Sequence, residues 1–407
     1  MTTTATDTIN PYLISWNLTK RCNLKCKHCY LDAKELSDGK GDISTDEALK
    51  IVDELAAISP GAMLILTGGE PLLRDDIFEI SQYAKERAMT VVLGTNGTLI
   101  DDELIRKIKD SDISGVGISL DSVSADYHDK LRGVDGAWAK TIASAKLLND
   151  AQLDFQIHLT VTKDNRLELA EMARLAEELN AKSLNIFFLV CTGRGEEMTD
   201  LSPEEYEEAL TTIDRLAVEY EGRLMVRARC APHIKRITAS ESAYANITSG
   251  CIAGRGYIRI SPEGQVTPCP YVPPTEDTPS ILNTRLDKIF EADIFKSFAK
   301  PNYGGKCGEC EFMETCGGCR ARALATSGDV MGEDPWCAHT PSKDSPENSV
   351  EIVWNSLAKE RLKKIPIFLR TMVKAGVEAY AKKKDIKEIT PEIMATLRER
   401  FKGGRPN

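Results

Sequence analysis

Twelve cysteines, and the places where they fall, constrain this 407-residue chain more than any other feature. Three lie between Cys22 and Cys29, Cys191 and Cys230 stand alone, and seven fall between Cys251 and Cys337. A disulfide framework belongs to a small domain in an oxidising compartment, and a chain of this length fits neither condition. Clustered thiols kept reduced are ordinarily metal ligands. From Cys230 to Cys337 the chain is rich in Gly, Pro and Cys and lacks helical periodicity. That region is expected to be a small domain organised by bound metal.

Upstream the pattern is different. Short β-branched or apolar runs at residues 12–18, 63–66, 90–93, 115–120, 155–162 and 183–190 read as strands. Helical stretches at 45–58, 77–87, 102–109, 137–149, 167–179 and 203–220 alternate with them, and Ser44 with Glu47 has capping-box spacing. Six strand–helix repeats imply an α/β fold with a parallel sheet, either doubly wound or a partial barrel. Residues 121–135 are expected to be a polar loop with a short helix. In the Cys-rich region, residues 257–261 and 266–267 read as strands of a hairpin turning at Pro262-Glu263-Gly264, and Pro268 and Pro270 forbid a central strand beyond it. After a polar link, 341–349, the tail is helical and basic. From Pro346 it holds 14 Lys and Arg against 8 Asp and Glu, a balance of +6. The expected units are 1–225, 226–340 and 341–407.

The net charge of -10 argues against general nucleic-acid binding, which favours a basic surface. No apolar run approaches the roughly 20 residues of a membrane helix. Residues 1–10 are polar and Thr-rich, unlike a signal peptide. A cytoplasmic protein is expected.

The chemistry starts at Cys22-Asn23-Leu24-Lys25-Cys26-Lys27-His28-Cys29-Tyr30, a C-x3-C-x2-C loop after the first strand. Three thiolates can hold three irons of a 4Fe–4S cube and leave the fourth iron open to a small ligand. A zinc site would need a fourth ligand, for which His28 is the local candidate. One strand later comes Thr67-Gly68-Gly69-Glu70-Pro71, where two glycines let backbone approach a ligand and Glu70 can hold an ammonium group. Asn96, Ser119, Asp121, Arg132-Gly133 and Thr162 close successive strands or loops.

In spacing, order and register this segment, over about residues 12–220, resembles the radical S-adenosylmethionine (SAM) enzymes. The resemblance implies a partial (β/α)6 barrel and a 4Fe–4S cluster on Cys22, Cys26 and Cys29 whose open iron takes SAM. It places Tyr30, Gly68, Gly69, Glu70, Pro71, Asn96, Ser119, Asp121, Arg132 and Thr162 around the cofactor. It also implies reductive cleavage of SAM to a 5′-deoxyadenosyl radical.

The second set reads C-x12-G-x4-C through Cys251, Gly264 and Cys269, then Cys307-x2-Cys310-x5-Cys316-x2-Cys319, then Cys337. Seven thiols are too many for one zinc, and the pattern resembles the SPASM extension, which carries two auxiliary 4Fe–4S clusters. Its interleaving implies Cys251, Cys269 and Cys319 on one cluster and Cys307, Cys310, Cys316 and Cys337 on the other. The first set lacks a fourth thiol, for which Cys230 is the nearest, although a structural cysteine is the equal reading. Cys191 follows strand six, near the expected barrel mouth.

The phrases Gly193-Arg194-Gly195, Gly317-Gly318-Cys319-Arg320-Ala321-Arg322 and Glu333-Asp334-Pro335-Trp336-Cys337 resemble radical SAM proteins that alter side chains of iron tetrapyrroles in alternative haem synthesis and dioxo-haem maturation. Arg132, Arg194, Arg320 and Arg322 are candidates, by charge alone, for holding SAM or substrate carboxylates. Marks in the tail (Trp354, Arg361-Leu362, Ile365-Pro366, Phe368-Leu369-Arg370, Glu378, Tyr380-Ala381 and Ile389-Thr390-Pro391-Glu392) resemble the C-terminal segment of light-independent protochlorophyllide reductase. The plain alternative is a basic helical pair that covers the domain. The implied function is decarboxylation or acetate removal on an iron tetrapyrrole, with ferredoxin or flavodoxin as reductant. A SPASM maturase acting on a precursor peptide is the nearer rival, and a non-enzymatic electron carrier the more distant one.

Overall fold

Where a strand feeds a helix that returns to a neighbouring parallel strand, the crossover is right-handed, so strands laid down in sequential order collect all their helices on one face. The sheet must then curl. The computed structural model, which describes residues 9–34, 41–198, 201–238, 250–342, 352–365 and most of 370–402, follows that rule. β1 (Leu13–Asn17), β2 (Met63–Thr67), β3 (Thr90–Thr95), β4 (Val116–Ser119), β5 (Phe155–Val161), β6 (Ser183–Phe188) and β7 (Met225–Arg229) are parallel, each beside the next. The connecting helices are α1 (Thr45–Ile58), α2 (Ile77–Glu86), α3 (Asp102–Asp110), α4 (Ala125–Arg132), α5 (Ala137–Asp150), α6 (Leu169–Glu178) and α7 (Pro203–Glu219). Ser44 and Glu47 form the expected capping box on α1, and Ser202 with Glu205 forms another on α7.

Alternation along the strands separates the faces. Ile14, Trp16, Leu64, Leu66, Val91, Ile118, Ile157, Ile186 and Val226 lie at or near zero exposure in one core beneath the helices. Each such side chain contributes about 1.5–3 kcal/mol by leaving water. The opposite, inner face carries Ser15, Asn17, Gly94, Gly117, His158, Asn185 and Arg229.

The six expected strands are all present. β7 was not foreseen, because its sequence MVRAR places charged residues at every second position. The expected unit boundary between 225 and 226 falls inside this strand, so the first unit runs on through Arg229. The expected hairpin also forms, from β8 (Tyr257–Ile260) and β9 (Val266–Thr267), but it is not separate from the first sheet. β8 pairs in parallel with β1, giving the order β7-β6-β5-β4-β3-β2-β1-β8-β9.

Short helices follow: α8 (Ile234–Ile237), α9 (Leu286–Ile289), α10 (Asp293–Ala299), α11 (Gly305–Gly308) and α12 (Arg320–Ser327). The tail has β10 (Val353–Trp354), α13 (Ser356–Lys363), β11 (Glu388–Ile389) and α14 (Pro391–Lys402), with a core of its own that includes Trp354, Ala358, Ala381 and Ile389. Several of its sequence marks hold it together. The Trp354 indole donates to Glu378 at 2.7 Å, and Arg361 donates to the Pro391 carbonyl at 3.0 Å. Pro366, Phe368 and Leu369 lie outside the described residues, as do residues 1–8. Among the described residues, no helix is long and apolar enough to cross a membrane.

Candidate metal and cofactor site

The cysteine loop leaves the end of β1 and is gripped from three sides. The Gly69 amide donates to the Thr19 carbonyl and the Glu70 amide to that of Arg21, both at 2.8 Å. Lys25 and Lys27 donate to the Arg132 and Leu131 carbonyls at the end of α4, and the Arg194 amide donates to the Cys29 carbonyl. These contacts explain the glycines. A Cβ on Gly69 would lie 2.1 Å from the Arg21 carbonyl oxygen, and one on Gly68, whose φ is +141°, 2.7 Å from that of Thr19. Gly68 and Gly69 were expected to give room to a ligand. What they admit is the backbone of the cysteine loop.

Cys22 and Cys26 are buried and Cys29 is half-buried. Each sulfur meets a donor: the Leu24 amide points at Cys22 Sγ and the Ala33 amide at Cys29 Sγ, both at 3.4 Å, and Arg132 Nη1 at Cys26 Sγ at 3.8 Å. Burial pushes the Cys22 thiol up to about 12, with the Cys26 and Cys29 sulfurs adding to the rise. Thiolates here therefore call for a bound cation. The three sulfurs do not all approach within 4.8 Å of one another, whereas a zinc tetrahedron on 2.3 Å bonds has edges of about 3.8 Å. An open triangle of amide-capped thiols suits the corners of an iron–sulfur cube.

Around the loop stand the other expected residues. Glu70 is fully buried and accepts from Thr95 Oγ1 at 2.8 Å, the Asn96 amide at 2.9 Å and the Leu72 amide at 3.1 Å. Burial still lifts its carboxyl to about 7. Pro71 opens the 3-10 turn that Glu70 caps. The Asn96 side chain donates to Asn23 of the loop at 2.8 Å. Ser119 Oγ lies 3.5 Å from the Thr95 carbonyl, and Thr162 Oγ1 lies 2.5 Å from the Tyr127 hydroxyl. Asp121 is fully buried and accepts from Arg132 Nε at 2.6 Å and the Thr160 amide at 3.0 Å. Burial opposes its charge, yet Arg132, backed by His28 and His128, holds it at about 2. Arg132 is thus spent on Asp121 and Cys26 rather than left free. His28 Nδ1 is buried without a hydrogen-bond partner, and burial lowers its imidazole to about 4, so it is neutral. The Tyr30 hydroxyl accepts from Asn17 Nδ2 at 2.9 Å, and its ring meets Tyr271 edge-on at 5.2 Å.

Arg194 was expected to face a substrate. It is instead a strut of the loop, donating to the Cys26 carbonyl at 2.9 Å, the Ala33 carbonyl at 2.6 Å and Asp32 at 3.0 Å. Cys191 is half-buried, its thiol 3.7 Å from the Met198 carbonyl.

In the Cys-rich region, Cys307, Cys310, Cys316 and Cys337 line one pocket, with Arg236, Lys306 and His339 at its wall. Amides of Asp334, Phe312 and Gly318 point at Cys307, Cys310 and Cys316 at 3.4–3.5 Å, and Arg320 Nη2 points at Cys307 Sγ at 3.8 Å. The donor set again fits a cube. Cys230, Cys251, Cys269 and Cys319 form a second gathering. Burial, then the Cys319 and Cys251 sulfurs, raises Cys230 to about 12, and Cys269 is raised by burial and by all three others. Cys230 has φ +54°, a strained value for a residue with a Cβ.

Arg320 and Arg322, expected to bind carboxylates of a ligand, are both 2% exposed and bound within the protein. Arg322 forks onto Asp334 at 3.0 and 3.2 Å between the Tyr206 and Trp336 rings, and Arg320 donates to the Gly332 carbonyl at 2.6 Å. Asp334 also accepts from the Cys319 amide at 2.6 Å. This acid organises the domain; in the sequence it stood out only as part of the phrase Glu333-Asp334-Pro335-Trp336-Cys337. A mixed trio, Cys310, Glu311 and His339, whose ligand atoms lie within 4.8 Å of one another, was missed as well.

Comparison with known proteins agrees with this geometry. The radical SAM superfamily model matches residues 16–176, an iron–sulfur cluster-binding domain model matches 251–320, and a proto-chlorophyllide reductase 57 kD subunit model matches 354–398. An AdoMet-dependent heme synthase of Methanosarcina barkeri is 39% identical over 347 residues, covering 82% of this chain and 98% of that protein. An Fe-coproporphyrin III synthase of the same organism is 29% identical, covering 80% and 87%. The solved structure of Streptococcus suis SuiB bound to S-adenosylmethionine shares the fold, with a TM-score of 0.67 at 17% identity over 81% of this chain and 78% of that one.

Proposed function

The chain belongs to the radical SAM superfamily and carries its SPASM iron–sulfur extension, and from that premise we propose that it acts on carboxylated side chains of an iron tetrapyrrole, by decarboxylation or acetate removal. The observation that carries this reading is the 39% identity to a heme synthase extending over 98% of that protein. The protein is an enzyme, and SAM and 4Fe–4S clusters are its cofactors. When bound, they supply a reductively generated 5′-deoxyadenosyl radical for hydrogen abstraction and relays for the electron that follows.

The chain's own residues bind, orient and exclude water. Cys22, Cys26 and Cys29 are assigned to the cluster that engages SAM, and Cys307, Cys310, Cys316 and Cys337 to one auxiliary cluster. Cys251, Cys269 and Cys319 are assigned to the other, with Cys230 as their fourth ligand. The mutual field of those four thiols and the strained backbone at Cys230 support that choice. Glu70 is assigned the SAM ammonium; its carboxylate is already aimed by three donors and must lose a proton to accept the cation. Asp121 keeps Arg132 oriented toward Cys26, and neutral His28 lends a flat, unpaired face beside the loop. Tyr30, Asn96, Ser119 and Thr162 complete the wall. A ferredoxin or flavodoxin suits as donor, because the first cluster needs one low-potential electron per turnover. A cytoplasmic setting suits twelve cysteines, all described and none in a disulfide.

The test is anaerobic turnover of reconstituted protein with SAM and dithionite on Fe-coproporphyrin III and on sirohaem-derived substrates. Mass spectrometry should find a tetrapyrrole product that has lost CO2 or acetate, formed together with 5′-deoxyadenosine. Turnover of a precursor peptide, with every tetrapyrrole returned unchanged, would replace this reading with the maturase one.

A further inference from the structure

The nine strands of the main sheet contain no Asp or Glu, and their three arginines fall on two strands only, β7 and β8. Alternation puts these arginines on the inner face. Ile258 and Ile260 of β8 are at zero exposure in the core under the helices, so Arg259 between them points the other way. Its register partner is Ser15, and its Nε donates to Asn17 Oδ1 at 2.5 Å on the same face of β1. Arg229 pairs with Phe187, and its Nε donates to Asn185 Oδ1 at 2.9 Å, beside His158.

Both guanidiniums therefore rest on neutral amides. Neither pairs with a carboxylate among the described residues, although Arg259 is only 3% exposed. Arg132 and Arg322 differ, each being paired with a buried acid, Asp121 and Asp334, while Arg320 is taken up by the Gly332 and Val330 carbonyls and Cys307 Sγ. A buried cation without a counter-ion is costly, and an asparagine oxygen fixes the fork while leaving the charge and the Nη donors for another group. Beside Arg229 the His158 ring fills the place a side chain at Gly117 would take, since a Cβ there would come within 2.6 Å of it. Asn17 ties Arg259 to the Tyr30 hydroxyl, one residue from Cys29, so the subsite borders the reactive loop.

We propose that Arg259 and Arg229 form a carboxylate-binding subsite on the inner face of the barrel that receives side-chain carboxylates of the substrate and sets which of them faces the SAM site. The proposal rests on the tetrapyrrole reading above. It assigns the substrate's recognition to β7 and β8 and not to Arg320 and Arg322.

The test titrates Fe-coproporphyrin III and its tetramethyl ester, in the same non-ionic detergent, into reconstituted wild-type enzyme and the Arg259→Gln, Arg259→Lys and Arg229→Gln variants. The Soret band reports binding, and iron content is measured on each sample. The Gln variants should retain iron, lose about 10–100-fold in affinity for the tetracarboxylate and no longer prefer it over the ester. Arg259→Lys should recover part of the loss, since it restores charge without the fork. Unchanged affinity in iron-replete Gln variants overturns the subsite and leaves the function standing. Iron loss in both Gln variants also overturns it, assigning the guanidiniums to the clusters' charge. If wild-type enzyme binds the ester as well as the tetracarboxylate, the subsite is wrong; if it binds neither, the tetrapyrrole reading falls and the subsite with it.

Discussion

The Cys22–Cys29 loop and the Cys307–Cys337 pocket dress their sulfurs almost identically. In each, backbone amides point at sulfurs from 3.4–3.5 Å and one guanidinium approaches another sulfur at 3.8 Å, Arg132 at Cys26 and Arg320 at Cys307. They differ in what stands at the fourth corner. The pocket brings four thiols together. The loop brings three, and beside the gap lie the buried Glu70 carboxylate and the unpartnered His28 Nδ1. The same electrostatic surroundings thus serve two ends. On the assignment proposed above, a complete thiol set would make a closed centre suited to moving electrons, and an incomplete one beside Glu70 a reactive centre.

The strongest test of that contrast is removal of each thiol set. Anaerobic reconstitution of the parent chain should give near 12 irons, about four per cluster. Changing Cys22, Cys26 and Cys29 together to Ala should remove about four and abolish 5′-deoxyadenosine formation. The corresponding triple at Cys307, Cys310 and Cys316 should also remove about four, yet leave SAM binding measurable by equilibrium dialysis. Stoichiometric zinc with little iron in the parent chain would erase the comparison altogether.

Next in size is the framework of the second region. Asp334 and Arg322 are a fully buried pair, and Asp334→Asn leaves the guanidinium charge without its partner. The expected cost is about 3–5 kcal/mol. Chemical denaturation should show it, with iron lost first from the Cys-rich domain while the loop's cluster persists. Equal loss from both regions would mean that they are not independent.

A smaller effect is expected at Glu70. Glu70→Gln should weaken SAM binding by about tenfold without changing iron content. The pH dependence has a definite sign. The free carboxyl is raised from its ordinary 4.5 to about 7, so in the free protein it is largely protonated below that value. SAM affinity of the wild type should therefore rise as pH climbs through about 7, and the Gln variant should be flat. The stability linked to this proton runs the opposite way: it is fully present below about pH 4.5 and lost as pH rises through 7.

The smallest effect belongs to the tail. Truncation before Pro346 removes a segment of charge +6, taking the net charge from -10 to -16. If the tail covers the substrate, clusters and SAM cleavage should survive, and affinity for a tetracarboxylate tetrapyrrole should fall less at high salt than at low. A loss of cluster retention with unchanged binding would make it packing alone. The Trp354–Glu378 and Arg361–Pro391 contacts already account for part of its sequence pattern without a ligand.

Much of this architecture was legible from periodicity and spacing. The six strands, their helices, the α1 capping box and the hairpin around Gly264 follow from rules that act within a few residues of each other. That the cysteines are metal ligands was legible from their clustering, whereas their division between clusters, which separates Cys316 from Cys319, was implied only by the family resemblance. Partners distant in sequence were not legible. Arg322 reads as a free cation until folding brings Asp334 against it, and Arg194 reads as exposed until it reaches back to Cys26. Gly68 and Gly69 signal a close approach without saying to what. In the other direction, Arg259 looked unremarkable in an expected strand and Arg229 lay in one too polar to stand out, and only the curled sheet leaves them on one face without a carboxylate among the described residues. The sequence alone determined which elements form and which atoms can bind metal, since backbone propensity and thiol chemistry are local. Only the tertiary structure decided which charges are neutralised, because a counter-ion is chosen by proximity across the fold, not along the chain.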